Sequence, residues 1–118
     1  MTSSDEVVNP VDVETNIRRL ANDVGRGVRV RSEALAKYRA AERSYEHAFA
    51  VEYMKYSGPA NSKRYAAEIA TQVEREARDA AEVVWKYAEN QGRALELELS
   101  AWQSIARSVN GMYGAAGR

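Results

Sequence analysis

The chain has 118 residues, no cysteine, and seventeen basic residues against seventeen acidic ones. This length is expected to hold one domain, and the lack of cysteine excludes a disulfide framework and a thiolate metal site. Hydrophobic residues make up 45% of the chain, but many of them are alanine, and only two prolines and seven glycines interrupt the sequence. Because alanine is the strongest helix former, this composition favours long paired helices over a layered sheet protein.

A short first helix, helix A, is predicted over about residues 10–24. It follows residues 1–8, which have no apolar periodicity and are predicted to be a flexible tail. Asn9 supplies an N-cap, and Pro10 suits the first helical position. The apolar residues of helix A recur at intervals of four, three and four: Val13, Ile17, Leu20 and Val24.

Helix B is predicted over about residues 28–57, after Gly25 and Gly27 have ended helix A. Its apolar face follows helical spacing and is rich in tyrosine, which we expect to pack in the interior rather than stack on nucleic-acid bases. The face consists of Leu35, Tyr38, Ala41, Tyr45, Ala48, Phe49, Tyr53 and Tyr56. The sequence Ser57-Gly58-Pro59 then predicts a turn, and Ser62 is the expected N-cap of the next helix.

Helix C is predicted over about residues 63–109, and the glycine-rich residues 111–118 are expected to be a second flexible tail. An apolar stripe at helical spacing predicts its inner face: Tyr65, Ile69, Val73, Ala77, Ala80, Val84, Tyr87, Ala94, Leu97, Ala101, Trp102, Ile105 and Val109. The three helices predict an all-α fold, a long antiparallel helical hairpin with an additional short N-terminal helix. Residues 1–110 would then form a single helical domain.

The sequence contains no pattern that predicts an enzyme, a metal site or a cofactor. His47 is the only histidine, and no phosphate-binding loop, nucleophile motif or zinc motif is present. The acidic N-terminus and the absence of a long uncharged apolar window predict a cytoplasmic protein that does not cross a membrane.

Positive charge is concentrated between Arg18 and Arg43, where eight bases face three acids. Five arginines at the glycine-rich joint between helices A and B are candidate nucleic-acid contacts: Arg18, Arg19, Arg26, Arg29 and Arg31. We expect the joint to let them reach phosphates without being spread around a helix. An alternative is that acidic residues of a neighbouring chain, near Asp12 and Glu14 or near Glu96 and Glu98, neutralise them on assembly.

The distal part of helix C carries large apolar residues that helix B is too short to cover. These are candidate self-association residues: Leu95, Leu99, Trp102, Ile105 and Val109. They predict a homo-oligomer. The alternative is that helix A docks back along residues 93–109 and covers them within one copy.

Residues 88–108 resemble a loose group of small helical bacteriophage proteins, in which a Tyr- and Ala-rich helix, a glycine-containing turn and a long second helix are usual. The matching positions near the end of helix C are Arg93, Leu95, Leu99, Ser100, Gln103, Ser104 and Arg107. The resemblance covers about residues 32–110 and excludes helix A. It implies a non-enzymatic accessory role near phage replication and recombination, in the host cytoplasm.

The chain is also similar in outline to the small secreted helical hairpins of actinobacteria, although its turn lacks their tryptophan. The sequence therefore favours a phage-type interaction or scaffold protein that self-associates and binds a protein or DNA component of replication or recombination. Direct nucleic-acid binding through residues 18–31 is one alternative. Inhibition of a host protein is another, without a residue pattern of its own.

Overall fold

The computed structural model describes residues 9–116, and it divides them among three α-helices. These are α1 (Pro10–Lys55), α2 (Ala60–Ala70) and α3 (Gln72–Ala116). Residues 9–116 contain no strand, which confirms the all-α prediction. Residues 1–8 and 117–118, which belong to the predicted tails, lie outside the described residues.

Helix α1 begins where the sequence predicts but runs without a break to Lys55. Asn9 caps its first turn, because the Asn9 Oδ1 accepts a hydrogen bond from the Asp12 N–H at 3.0 Å and the Asn9 Nδ2 donates to the Asp12 carboxylate at 2.8 Å. The predicted separation of helix A (10–24) from helix B (28–57) is therefore wrong. A glycine inside a helix lowers its stability by only about 1 kcal/mol relative to alanine. The stability of a continuous helix of 46 residues is large enough to tolerate two such glycines.

Replacing Gly25 or Gly27 by alanine should stabilise the protein, because both glycines lie inside α1. A Cβ at Gly25 would meet no atom within 4 Å, and one at Gly27 would lie 3.7 Å from the Leu95 Cδ1, which is an ordinary contact. We expect each substitution to raise the free energy of unfolding by about 0.5–1 kcal/mol in urea titrations. A loss of stability in both variants would show instead that the chain needs a flexible joint there.

The turn after α1 confirms the prediction made from Ser57-Gly58-Pro59, with helix boundaries that differ by two to three residues. Helix α1 ends at Lys55 rather than 57, and α2 begins at Ala60 rather than 63. Gly58 has a φ of 116°, a conformation that favours glycine. The N-cap position of α2 is Pro59 with no side-chain hydrogen bond, so the prediction of Ser62 as N-cap is wrong.

Thr71 divides the predicted helix C into α2 and α3. Its buried hydroxyl donates to the Ala67 carbonyl oxygen at 2.7 Å, in addition to the backbone bond from the Thr71 N–H to the same oxygen at 3.1 Å. Such back-bonding distorts a helix locally without ending it. Beyond this point α3 continues to Ala116, so the predicted tail is helical over residues 111–116.

The described residues pack as two compact units. Unit 1 combines the chain up to Arg29 with the chain from Asn90 onward, and unit 2 comprises Val30–Glu89. In unit 1, Leu20 and Val13 are the most buried large side chains, which confirms the apolar stripe predicted for helix A. The buried and half-buried positions of this unit that follow three- and four-residue intervals are Val13, Ile17, Leu20, Val24, Gly27, Gly92, Leu95, Leu99, Trp102, Ala106 and Val109.

Unit 2 buries both small and large side chains, and one set of its buried and half-buried positions follows the same alternation of three- and four-residue intervals. The positions on α1 are Arg31, Ala34, Tyr38, Ala41, Tyr45, Ala48 and Glu52, and those on α2 and α3 are Ala67, Thr71, Glu74, Arg78, Ala81, Trp85 and Ala88. We call the set in each unit its seam. The tyrosine-rich face predicted for helix B is confirmed in this part of the chain, apart from the exposed Tyr56.

The inner stripe predicted for helix C is wrong over most of its length. Of its thirteen residues only Trp102 and Val109 are buried or half-buried. On α3, most positions of the seam follow a position of the predicted stripe by about one residue. Alanine and glycine are frequent among these seam positions. At Gly92 the two helix backbones approach closely, because a Cβ added at Gly27 would lie 3.9 Å from the Gly92 Cα.

Candidate functional site

In unit 2, the side of α2 and α3 that faces away from the seam is apolar and exposed. We call it the outer face, and it consists of Ile69, Ala70, Val73, Glu76, Ala77, Ala80, Val83, Val84 and Tyr87. Ile69 and Val73 each expose 76% of their surface, and Tyr87 exposes 65%. Helical periodicity gathers these positions on one side, since they repeat at three- and four-residue intervals.

Charge on α2 and α3 is concentrated on a different side of the helices. Glu76 is the only charged residue among the nine positions of the outer face. The exposed or half-exposed side next to it carries six charges in the same stretch of chain: Glu68, Arg75, Asp79, Glu82, Lys86 and Glu89. A solvated helix face is normally polar, so a face of nine residues with a single charge requires an explanation.

The same helical positions of α3 are also nearly uncharged in unit 1. They are Asn90, Gln91, Ala94, Leu97, Glu98, Ala101, Ser104, Ile105, Ser108, Gly111 and Met112, all of them exposed. This part is more polar than the outer face of unit 2, because serine and amide side chains separate its apolar residues. Leu97 and Met112 are its most exposed large side chains.

The five residues predicted to mediate self-association lie in unit 1, and most of them are partly or fully covered. Val109 is buried, Leu95, Leu99 and Trp102 are half-buried, and Ile105 is exposed. Gly27 of α1 packs close to this segment. A Cβ added at Gly27 would lie only 3.7 Å from the Leu95 Cδ1. Self-association through these residues stays a prediction, but the larger exposed apolar surface lies on the outer face.

The arginines predicted to bind nucleic acid are carried by continuous helix rather than by a joint, so that part of the prediction is corrected. At about 100° per residue, Arg18, Arg19, Arg26 and Arg29 fall within an arc of about 100° on the exposed side of α1. We call these four the arginine face. Arg31 is different, because it is half-buried at the seam of unit 2.

Two arginines of this face form ion pairs with carboxylates one turn earlier on α1. Arg18 donates to Glu14 at 2.8 Å, and Arg26 pairs with Asp23. Exposed ion pairs of this kind contribute little stability, so another anion can readily replace the carboxylate as the partner of the arginine. The side chains also border a surface hollow on α1, lined by Thr15, Arg18, Arg19, Asn22, Asp23 and Arg26.

In the seam of unit 2, aromatic side chains of α1 contact aromatic and cationic side chains of α3. The rings of Tyr38 and Trp85 stack with centroids 5.3 Å apart, and the Arg78 guanidinium lies 4.6 Å from the ring centroid of Tyr45. Hydrogen bonds to Asp79 raise the pKa of Arg78. Trp85 did not stand out in the sequence, and the signal that would have identified it is the alternating interval of the seam.

Burial raises the pKa of the Tyr38 hydroxyl above its ordinary value, and hydrogen bonding to Glu42 and Glu82 raises the pKa further. The Tyr38 hydroxyl donates to the Glu42 carboxylate at 3.1 Å. The folded state therefore favours the neutral phenol, and its contribution to stability is present below the pKa of an unfolded tyrosine. This contribution is lost as the pH rises through the raised pKa.

We expect Tyr38 to ionise later than a free tyrosine in an alkaline absorbance titration. Subtracting the titration of a Tyr38→Phe variant isolates its signal, because the other tyrosines contribute to both curves. Urea unfolding above pH 10 should also show a steeper loss of stability for the unmodified protein than for the variant. Ionisation of Tyr38 at the pH of a free tyrosine would contradict this account.

The structure shows where the residues considered for catalysis and metal binding lie. His47 is exposed on α1. Among residues 9–116, no three His, Cys, Asp or Glu side chains converge as metal ligands would. Over the same range, no helix combines the length and the apolar character needed to span a membrane.

Comparison of the chain with protein-family models, with curated proteins and with solved structures finds no match.

Proposed function

We propose that this chain is a non-enzymatic interaction protein that associates with a second copy of itself through the outer face of unit 2. The observation that carries the proposal is the concentration of exposed apolar side chains on a face with a single charge. Soluble monomers rarely expose such a patch without a partner. The resemblance to small phage proteins implies a further partner, a protein or DNA component of replication or recombination in the host cytoplasm.

The scaffold that presents this face is proposed to be an antiparallel helical hairpin. In unit 2, Tyr38, Tyr45 and Tyr53 of α1 contact Trp85, Arg78 and Lys63 in that order, so the partner's number falls as the α1 number rises. The alternating three- and four-residue intervals of the seam are typical of coiled-coil packing. Both features support helices that run in opposite directions.

Thermal unfolding at several protein concentrations tests self-association. If unfolding is coupled to dissociation, the Tm should rise by several degrees over a hundredfold increase in concentration, because mass action favours the folded dimer. A Tm that does not change with concentration would remove the support for a dimer in this range.

Binding of nucleic acid through the arginine face is the second candidate function. It is favoured by the grouping of four exposed arginines on one side of α1, two of which form ion pairs with carboxylates of the same helix. Guanidinium groups in such an arrangement suit the evenly spaced phosphates of a nucleic-acid backbone. The salt dependence of DNA affinity tests this function.

A further inference from the structure

The outer face has a symmetric pattern of side-chain size along the chain. Large residues lie at both ends, Ile69 and Val73 on one side and Val84 and Tyr87 on the other. Two alanines, Ala77 and Ala80, occupy the middle. These six positions have a similar profile when they are read in either direction, and Ala70, Glu76 and Val83 lie on the face outside this pattern.

From this pattern we infer that the partner of the outer face is a second copy of the chain, with α2 and α3 antiparallel to their counterparts. The two-fold axis passes between Ala77 and Ala80. Val73 then faces the Val84 position of the other copy, and Ile69 faces the region of Tyr87. The alanines at the axis let the two helices approach closely while the larger side chains fill the space on either side. This arrangement rests on the proposed self-association and specifies its geometry.

The area of the outer face is suited to such a dimer. Ile69, Val73, Val83, Val84 and Tyr87 are all at least 58% exposed. Complete burial of these side chains and of the alanines between them would cover at most about 600 Å² per copy, the lower end of the roughly 600–1,000 Å² per partner in stable interfaces.

The single charge of the outer face is compatible with this arrangement. Glu76 lies at the edge of the face, and in the antiparallel pair it lies beside Ala80 of the other copy. There it keeps the hydrogen bond at 3.1 Å that it accepts from the Gln72 side-chain amide.

Cysteine crosslinking tests this geometry, and the native chain has no cysteine to interfere. Val73→Cys and Val84→Cys are prepared as separate variants, mixed under reducing conditions so that subunits exchange, and then oxidised. We expect a disulfide-linked dimer in the mixture, containing about half of the chains if pairing is random. Each variant oxidised alone should give almost none, since its two cysteines would lie about 16 Å apart along the helix axis.

The other outcomes separate failure of the geometry from failure of self-association. Sedimentation of each cysteine variant first establishes whether it forms dimers. If the variants are dimeric but crosslink when oxidised alone, the helices are parallel and the inference is overturned. If they are dimeric and no sample crosslinks, the interface lies elsewhere. If the unmodified chain is monomeric, the proposed function fails along with the inference.

Discussion

A Val84→Glu variant should be monomeric under conditions in which the unmodified chain forms dimers. Val84 is 58% exposed within one copy, and in the proposed dimer it faces Val73 of the other copy. In the proposed dimer the substitution would bury two carboxylates without cationic partners, at a cost of about 3 kcal/mol or more. This corresponds to a dissociation constant at least about a hundredfold higher, which light scattering or sedimentation can measure.

A Val11→Glu variant is the matched control for this experiment. Val11 is a valine on α1 that is 71% exposed, so the same side chain is changed and the same charge is added away from the outer face. Glutamate is a better helix former than valine, so neither variant should lose helix content in circular dichroism. Dimers of equal strength in both variants would show that the outer face is not the interface.

Neutralising the arginine face should greatly weaken binding to DNA, if the protein binds DNA. Each arginine that contacts a phosphate releases a counterion, so the logarithm of affinity falls with the logarithm of salt concentration. A triple variant with Arg19→Gln, Arg26→Gln and Arg29→Gln should reduce that slope by about three. Fluorescence anisotropy with a labelled duplex, repeated at several salt concentrations, gives the slope directly.

One further variant is the control for this test. Arg43→Gln removes an exposed arginine of α1 in unit 2, outside the arginine face, and should leave the slope almost unchanged. Arg31 is unsuitable as a probe, because it is half-buried and its replacement would also change the packing of the seam. If the unmodified chain shows no affinity for DNA at low salt, nucleic-acid binding through this face is ruled out.

The sequence predicted the helices well where local signals are strong. Asn9 and Pro10 identified the start of α1, and Ser57-Gly58-Pro59 identified the turn. The break at Gly25 and Gly27 was predicted wrongly, since a glycine alone weakens a helix by only about 1 kcal/mol. Packing of the helix segments on both sides outweighs that cost, and sequence propensity does not contain this information.

The periodicity of apolar residues did not identify which face of α3 is buried. Two stripes run along this helix at nearly the same spacing, and the stripe without charged residues was predicted to be inside. The seam instead contains Ala81, Ala88 and Gly92, with Trp85 stacked on Tyr38. Close approach of the backbones depends on the opposing helix, so single-helix hydrophobicity did not identify it.

Because the wrong face of α3 was predicted to be buried, the outer face was not recognised as a candidate site. Self-association was predicted for Leu95, Leu99, Trp102, Ile105 and Val109, chosen for their size. Residues such as Ile69, Val73 and Val84 were assigned to the core, although the structure leaves them exposed. The arginines were predicted by their charge, and because a break at Gly25 and Gly27 was expected, the spacing that places four of them on one side of a continuous helix was not applied across it.

Sedimentation equilibrium of the unmodified protein tests the central claim most directly, because it measures mass independently of shape. The chain has a mass of 13.2 kDa. We expect a concentration-dependent mass that approaches twice this value as the outer faces of two copies associate. A mass that stays at 13.2 kDa up to the highest concentration would contradict the claim that the outer face binds a second copy.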